Sequence, residues 1–181
     1  MFLNIYDILI LSFLLGLSMK TTDLHNEHGA KLFKKSSFLF GILTGILGSL
    51  LLLGPTSLAI FWSATFLTYL IKGQVDYLNH RISALIIFLT FVLNLEKISI
   101  EWQSFIFFLS AIGITGLLNK FWVERKKTPP LITTFFRWRM HYNLIALFYS
   151  LFTGVWMVFF SRLIFSLGYE AANFFIGEKI K

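Results

Sequence analysis

Residues Phe38–Ile71 read FLFGILTGILGSLLLLGPTSLAIFWSATFLTYLI, two apolar runs with no charged side chain, divided at Gly54-Pro55-Thr56-Ser57. A soluble chain of 181 residues lacks the polar surface to cover runs of this kind. Crossing the hydrocarbon of a bilayer takes about 20 helical residues, with roughly 17 tolerated. Phe38–Gly54 meets that length. Leu58–Ile71 is only about 14 residues, some 21 Å at 1.5 Å per residue, and crosses only if its helix continues into the polar segment Lys72–Arg81. The stretch therefore predicts two membrane helices, the second of them helical to about Asp76.

Further apolar runs lie on either side: Phe2–Met19, Ile82–Leu95, Trp102–Leu118 and Tyr142–Phe165. The first carries Asp7 and lacks a basic leading segment, so it reads as a retained helix and not a signal peptide. The chain is 56% hydrophobic and 14% charged, against roughly 25% charged in soluble domains. The expected fold is an all-α, polytopic membrane helical bundle of about six transmembrane helices. It forms a single domain over 1–181, with possible two-helix repeats at 1–54 and 58–95 and an interfacial loop at 119–141. With no cysteine, disulfides, thiolate zinc sites and thiol nucleophiles are excluded.

The net charge of +7 has a topological explanation. Twelve of the sixteen Lys and Arg fall in the loops after the first, third and fifth runs: Lys20, Lys31, Lys34, Lys35, then Lys72 and Arg81, then Lys120, Arg125, Lys126, Lys127, Arg137 and Arg139. The positive-inside rule makes that side cytoplasmic and sets both termini on the opposite side. This distribution leaves no charge pattern pointing to nucleic acid. Gly41-x-x-x-Gly45-x-x-x-Ser49 and Ser12-x-x-x-Gly16 are small-residue spacings that let helices approach closely, and the first also suits a homo-oligomer seam. In loop 119–141, Trp122, Phe135, Phe136 and Trp138 beside basic residues suit a segment lying against anionic headgroups. Arg162 reads as a snorkelling residue near the outer end of the last helix, with no functional role, and Gly168–Lys181 as a short amphipathic helix on the outer surface.

The polar residues carry an internal echo. Asp23-Leu24-His25-Asn26-Glu27-His28 and Asp76-Tyr77-Leu78-Asn79-His80-Arg81 share Asp-x-x-Asn, each between an odd and an even run. On a helix, i and i+4 share a face, so Asp23 is expected to pair with Glu27 and Asp76 with His80. His28, Asn26, Asn79 and His141 lie at the same boundary. Carboxylates mixed with imidazole suit a divalent cation, Mg²⁺, Mn²⁺ or Zn²⁺, with Asp23, Glu27, Asp76 and His80 as ligands and catalytic groups. Arg81, Lys31 and Lys72 would then neutralise a substrate phosphate. Without a metal, a histidine oriented by a carboxylate serves as general base.

This layout resembles membrane prenyltransferases of the aspartate-rich type, in which two acidic motifs on cytoplasmic helix ends hold magnesium diphosphate. The resemblance covers Asp23–Gly29 and Asp76–His80, with Glu27 and His80 standing where that family has its second aspartates. No Gly-x-Ser-x-Gly elbow, Walker loop, His-Glu-x-x-His or Cys-x-x-Cys occurs. The expected function is a membrane-embedded lipid-modifying enzyme, a transferase or hydrolase acting on a phosphorylated prenyl or phospholipid substrate. The alternatives are a small transporter or channel component, for which the spans offer few mid-helix ionisable groups, and a non-catalytic scaffold subunit.

Overall fold

The computed structural model describes residues 3–27, 32–73, 75, 77–123, 129, 132, 134–135 and 139–177. Among the described residues the chain is all-α, with seven helices and no strand. They are α1 (Ile5–Glu27), α2 (Ser36–Leu52), α3 (Thr56–Ile71), α4 (Leu78–Leu93), α5 (Trp102–Val123), α6 (Met140–Thr153) and α7 (Trp156–Gly177). Two segments, Ile5–His25 of α1 and Trp102–Asn119 of α5, are long and apolar enough to cross a membrane; α2, α3 and α4 are apolar but shorter.

Local chemistry sets the helix ends. Asn4 and Asp7 exchange backbone-to-side-chain hydrogen bonds of 3.0 Å in each direction, a reciprocal cap that accounts for the acidic residue at the start of α1. Pro55 opens α3, its carbonyl accepting from the amides of Leu58 and Ala59 at 2.9 Å. The expected extension of α3 to Asp76 does not occur. The helix stops at Ile71, and Gly73 turns the chain at φ +65°, a backbone region that favours glycine. Asp76 itself lies outside the described residues.

The apolar run Tyr142–Phe165, expected as one span, is two helices. Gly154 takes φ +74° and donates to the Ser150 carbonyl at 2.8 Å, a glycine cap that ends α6 and starts the turn into α7. The direction of the chain's tail therefore reverses. α7 runs parallel to α1, since Ser12 meets Ser161 at one end (2.8 Å) and Asp23 meets Tyr169 at the other (2.7 Å). α2 and α4 are parallel by the same criterion (Ser37 to Asn79, Gly41 to Ser83), as are α3 and α5 (Thr56 to Ser99, Phe61 to Phe108). Helices thus alternate in direction, and the described chain ends lie at opposite ends of the bundle. The expectation that both ends share a side fails because the Gly154 turn adds a helix. The segment from Gly168 continues α7 through Gly177, where a separate surface helix was expected.

α3 is the central helix. Leu58, Ala59, Ile60, Phe61, Trp62 and Ala64 are all buried. Phe61 meets Phe108 of α5 edge-on at 5.1 Å, and Trp62 meets Phe165 of α7 at 5.2 Å while donating to Ser161 Oγ at 3.2 Å. The small residues bring helices to backbone contact within the chain. Gly16 lies on the Phe165 carbonyl and Gly168 on the Phe13 carbonyl, closing α1 against α7. Gly41 faces Asn79 and Gly45 faces Ile86, so this part of the Gly41/Gly45/Ser49 stripe is covered by α4 of the same chain. The two proposed repeats pack differently: α1 lies along α2, whereas α4 lies on α2 and α3 on α5. The separation of α3 from α4 leaves the gap in which the candidate site lies.

Candidate functional site

Asp23, about one turn before the end of α1, is 8% exposed. Its Oδ1 is 3.3 Å from His80 Nε2 on α4, and its Oδ2 accepts a 2.7 Å hydrogen bond from the Tyr169 hydroxyl on α7. The two Asp-x-x-Asn motifs therefore meet through a contact between α1 and α4; the expected pairs Asp23–Glu27 and Asp76–His80 involve groups outside the described residues. With Nε2–H turned towards Asp23, Nδ1 of His80 is the nitrogen left to act as base.

A cation stands beside this pair. The Arg139 guanidinium lies 4.6 Å from the centre of the Tyr169 ring, and Lys20 Nζ lies 5.1 Å from the same ring. Burial opposes the charge on Arg139, but Tyr169, Tyr69 and Asp23 around it prevail and hold its pKa above the ordinary guanidinium value. Its backbone is at φ +54°, uncommon for a residue with a side chain, at the N-cap of α6. Its Nη1 is shut off from the surface without a hydrogen-bond partner. The Lys72 side chain folds against Gly116 of α5, and burial together with Arg139 pushes its ammonium below the ordinary value.

Below these groups opens a cleft of about 440 Å³ between α3 and α4, inside the roughly 300–1,000 Å³ range of small-molecule sites. Asp23, His80, Tyr69 and Arg139 line its polar end, and Leu67, Ala84, Ile87, Phe88, Phe91 and Phe105 line its apolar length. From His80 to Phe91 along α4 the cleft extends about 16 Å at 1.5 Å per residue. It is a hydrocarbon-lined slot with an ionic head.

No family model, curated protein or solved structure matches this chain.

The other sequence candidates separate by position. His25 is tied at both ring nitrogens, to the Thr21 carbonyl and to Ser36 Oγ, each at 2.6 Å, and pins the end of α1 to the start of α2. Asn79 is buried and donates to Ser37 Oγ at 2.8 Å, doing the same for α4 and α2. Arg81 is exposed and donates to the Val75 carbonyl at 3.2 Å, so it braces the turn before α4. His141 is buried beside Tyr142, with ring centres 4.2 Å apart. Asp76, His28 and Lys31, and the side chains of Glu27 and Asn26, lie outside the described residues, as do 124–128, 130–131, 133 and 136–138 of loop 119–141. Among the described residues no three His, Asp or Glu side chains converge as a metal site would need.

Sequence reasoning missed Tyr169 and Arg139, and it misread Arg162. Arg162 does not snorkel: it is 2% exposed, its guanidinium stacked 5.0 Å from the Tyr142 ring centre and 4.7 Å from that of Phe165, with Nε unpartnered. The signal available was Gly154. Read as a helix end, it brings Tyr169 back to the end of the bundle that holds Asp23.

Proposed function

We propose that this chain is a multi-pass membrane enzyme that binds one hydrocarbon-tailed lipid in the α3–α4 cleft and modifies its head with the Asp23–His80 pair. The observation that carries the reading is the carboxylate–imidazole pair at the polar end of an apolar slot. His80 takes a proton from water or from an acceptor hydroxyl as that oxygen attacks the head of the lipid; the bond from the attacked atom to its leaving oxygen breaks, and the imidazolium returns the proton to that departing oxygen. Asp23 orients the ring and stabilises the imidazolium that forms, Tyr169 holds the carboxylate in place, and the charge of Arg139 favours its ionised form. A transferase and a hydrolase differ here only in which hydroxyl is admitted.

Membrane insertion is supported by the surface. Leu85, Phe88, Leu89 and Val92 form an exposed apolar stripe on α4, and Ile106, Phe107, Ile114 and Leu117 form another on α5. α3, covered by its neighbours, is the helix that least needs to be long. The basic loops lie at the end of the bundle that holds Asp23, which makes that end cytoplasmic.

The absence of cysteine makes topology directly testable with single-cysteine variants. Ser99→Cys and Thr153→Cys are expected to react with an impermeant reagent from outside, and Phe175→Cys only after the membrane is opened. Labelling of Phe175→Cys from outside would restore the six-span topology and remove the seven-helix one.

The catalytic reading is tested by reconstituting the purified protein in vesicles of mixed prenyl phosphates and phospholipids and following each species by mass spectrometry. Loss of one species with appearance of its head-modified product is expected, unchanged by a chelator if His80 acts as a metal-free base. Abolition by the chelator, with rescue by Mg²⁺, Mn²⁺ or Zn²⁺, would return the site to the Asp/Glu/His metal arrangement. No turnover of any lipid would remove the enzyme reading.

A further inference from the structure

The cleft's polar end carries more positive than negative charge. Among the described residues, Arg139, Tyr69 and the single carboxylate Asp23 line that end, and behind them Lys20 lies over the Tyr169 ring, Arg162 over the Tyr142 ring and Lys72 against Gly116. Cations crowded where water is scarce are costly unless an anion joins them. One observation places that anion and a second adds to the need for it. Arg139 lines the cleft, and its buried Nη1 has no hydrogen-bond partner. Arg162, almost wholly buried, likewise leaves Nε unpartnered while its guanidinium lies over the ring of Tyr142.

We propose that the head bound at the polar end of the cleft is a phosphate ester, a monophosphate or diphosphate on a hydrocarbon tail, with the guanidinium of Arg139 as its direct donor and Arg162 and Lys72 compensating part of its remaining charge. The inference rests on the lipid-binding part of the proposed function and names its substrate class. A guanidinium offers a fork of donors matched to phosphate oxygens, and a head with two negative charges offsets most of what Asp23 leaves uncompensated. The phosphate role expected of Arg81 passes to Arg139, because Arg81 is exposed and its Nε is engaged by the Val75 carbonyl. The approximately 16 Å run of apolar wall beyond His80 takes the tail.

The test is binding, measured in a neutral detergent on wild type, His80→Ala, Arg139→Gln and Arg139→Lys. The probes are dodecyl phosphate, dodecylphosphocholine, dodecanoate and inorganic phosphate. Dodecyl phosphate is expected to raise the unfolding midpoint of wild type and of His80→Ala alike, and to bind at least about tenfold more tightly than the phosphocholine or the carboxylate. Arg139→Gln should lose that preference, and Arg139→Lys should keep part of it; the lysine variant decides the matter if the glutamine variant fails to fold. Equal affinity for all three amphiphiles overturns the phosphate assignment, and inorganic phosphate binding as tightly as dodecyl phosphate overturns the tailed ligand. Turnover of a lipid without head preference sinks this inference alone, whereas phosphate-selective binding without turnover sinks the catalytic reading alone.

Discussion

Replacing His80 with Ala, or Asp23 with Asn, is expected to lower turnover of the bound lipid by about 10²–10⁴-fold while leaving the protein folded, the range typical of a positioned general base. His80→Ala removes the base. Asp23→Asn keeps the shape and can still accept from the Tyr169 hydroxyl, but it no longer stabilises an imidazolium across the 3.3 Å contact. The two changes act on one unit, so the double variant should be little worse than the more damaging single one. Tyr169→Phe is expected to lose about tenfold or less, since it orients Asp23 and does not touch the substrate. Rates are measured in the same vesicle assay, with unfolding in detergent confirming that each variant is folded. Losses that simply multiply in the double variant would show that Asp23 and His80 do not work as a pair.

The second large effect is on stability. Gly16→Ala and Gly168→Ala each drive a Cβ into a carbonyl of the opposing helix, Phe165 in the first case and Phe13 in the second. Backbone cannot move aside as a flexible side chain can, so the cost is expected at or above the roughly 1–3 kcal/mol of ordinary overpacking. Gly113→Ala is the control. Nothing lies within 4 Å of its added Cβ, and the change removes the roughly 0.5–1 kcal/mol that glycine costs a helix. Thermal unfolding should rank Gly113→Ala at or above wild type and the other two well below. A Gly16→Ala protein as stable as wild type would mean that α1 and α7 do not meet as described.

Much of the helical order was legible in the sequence because apolar runs and their breaks are local signals. The Gly54-Pro55 divide falls between α2 and α3, where the residue types require it. Two boundaries misled for opposite reasons. Leu58–Ile71 looked too short to stand alone, and length arithmetic extended it, whereas Gly73 stops it and burial among its neighbours supports it. Tyr142–Phe165 looked long enough for one span, and Gly154 was passed over because apolar residues continue on both sides. Of the site, Asp23 and His80 were found from their types and boundary position. Their actual pairing was not, because i,i+4 logic sees only one helix at a time. Tyr169 reaches Asp23, and Arg139 the Tyr169 ring, from distant sequence, and nothing in their local composition separates them from other interfacial aromatic and basic residues.

The site is assembled from the first helix and the last, and this has a consequence for biosynthesis. Asp23 and Tyr169 are 146 residues apart. At about 5–20 residues per second, roughly 7–30 s pass between synthesis of the carboxylate and synthesis of the hydroxyl that satisfies it. During that interval the carboxylate has the His80 imidazole of α4 as its only partner of the two, and its contact with α7 waits until the Gly154 turn has been made. A polypeptide truncated before α6 keeps the carboxylate–imidazole pair but never gains the Tyr169 hydroxyl. The half-satisfied carboxylate would then distinguish the unfinished chain from the finished one, a mark that quality control could read.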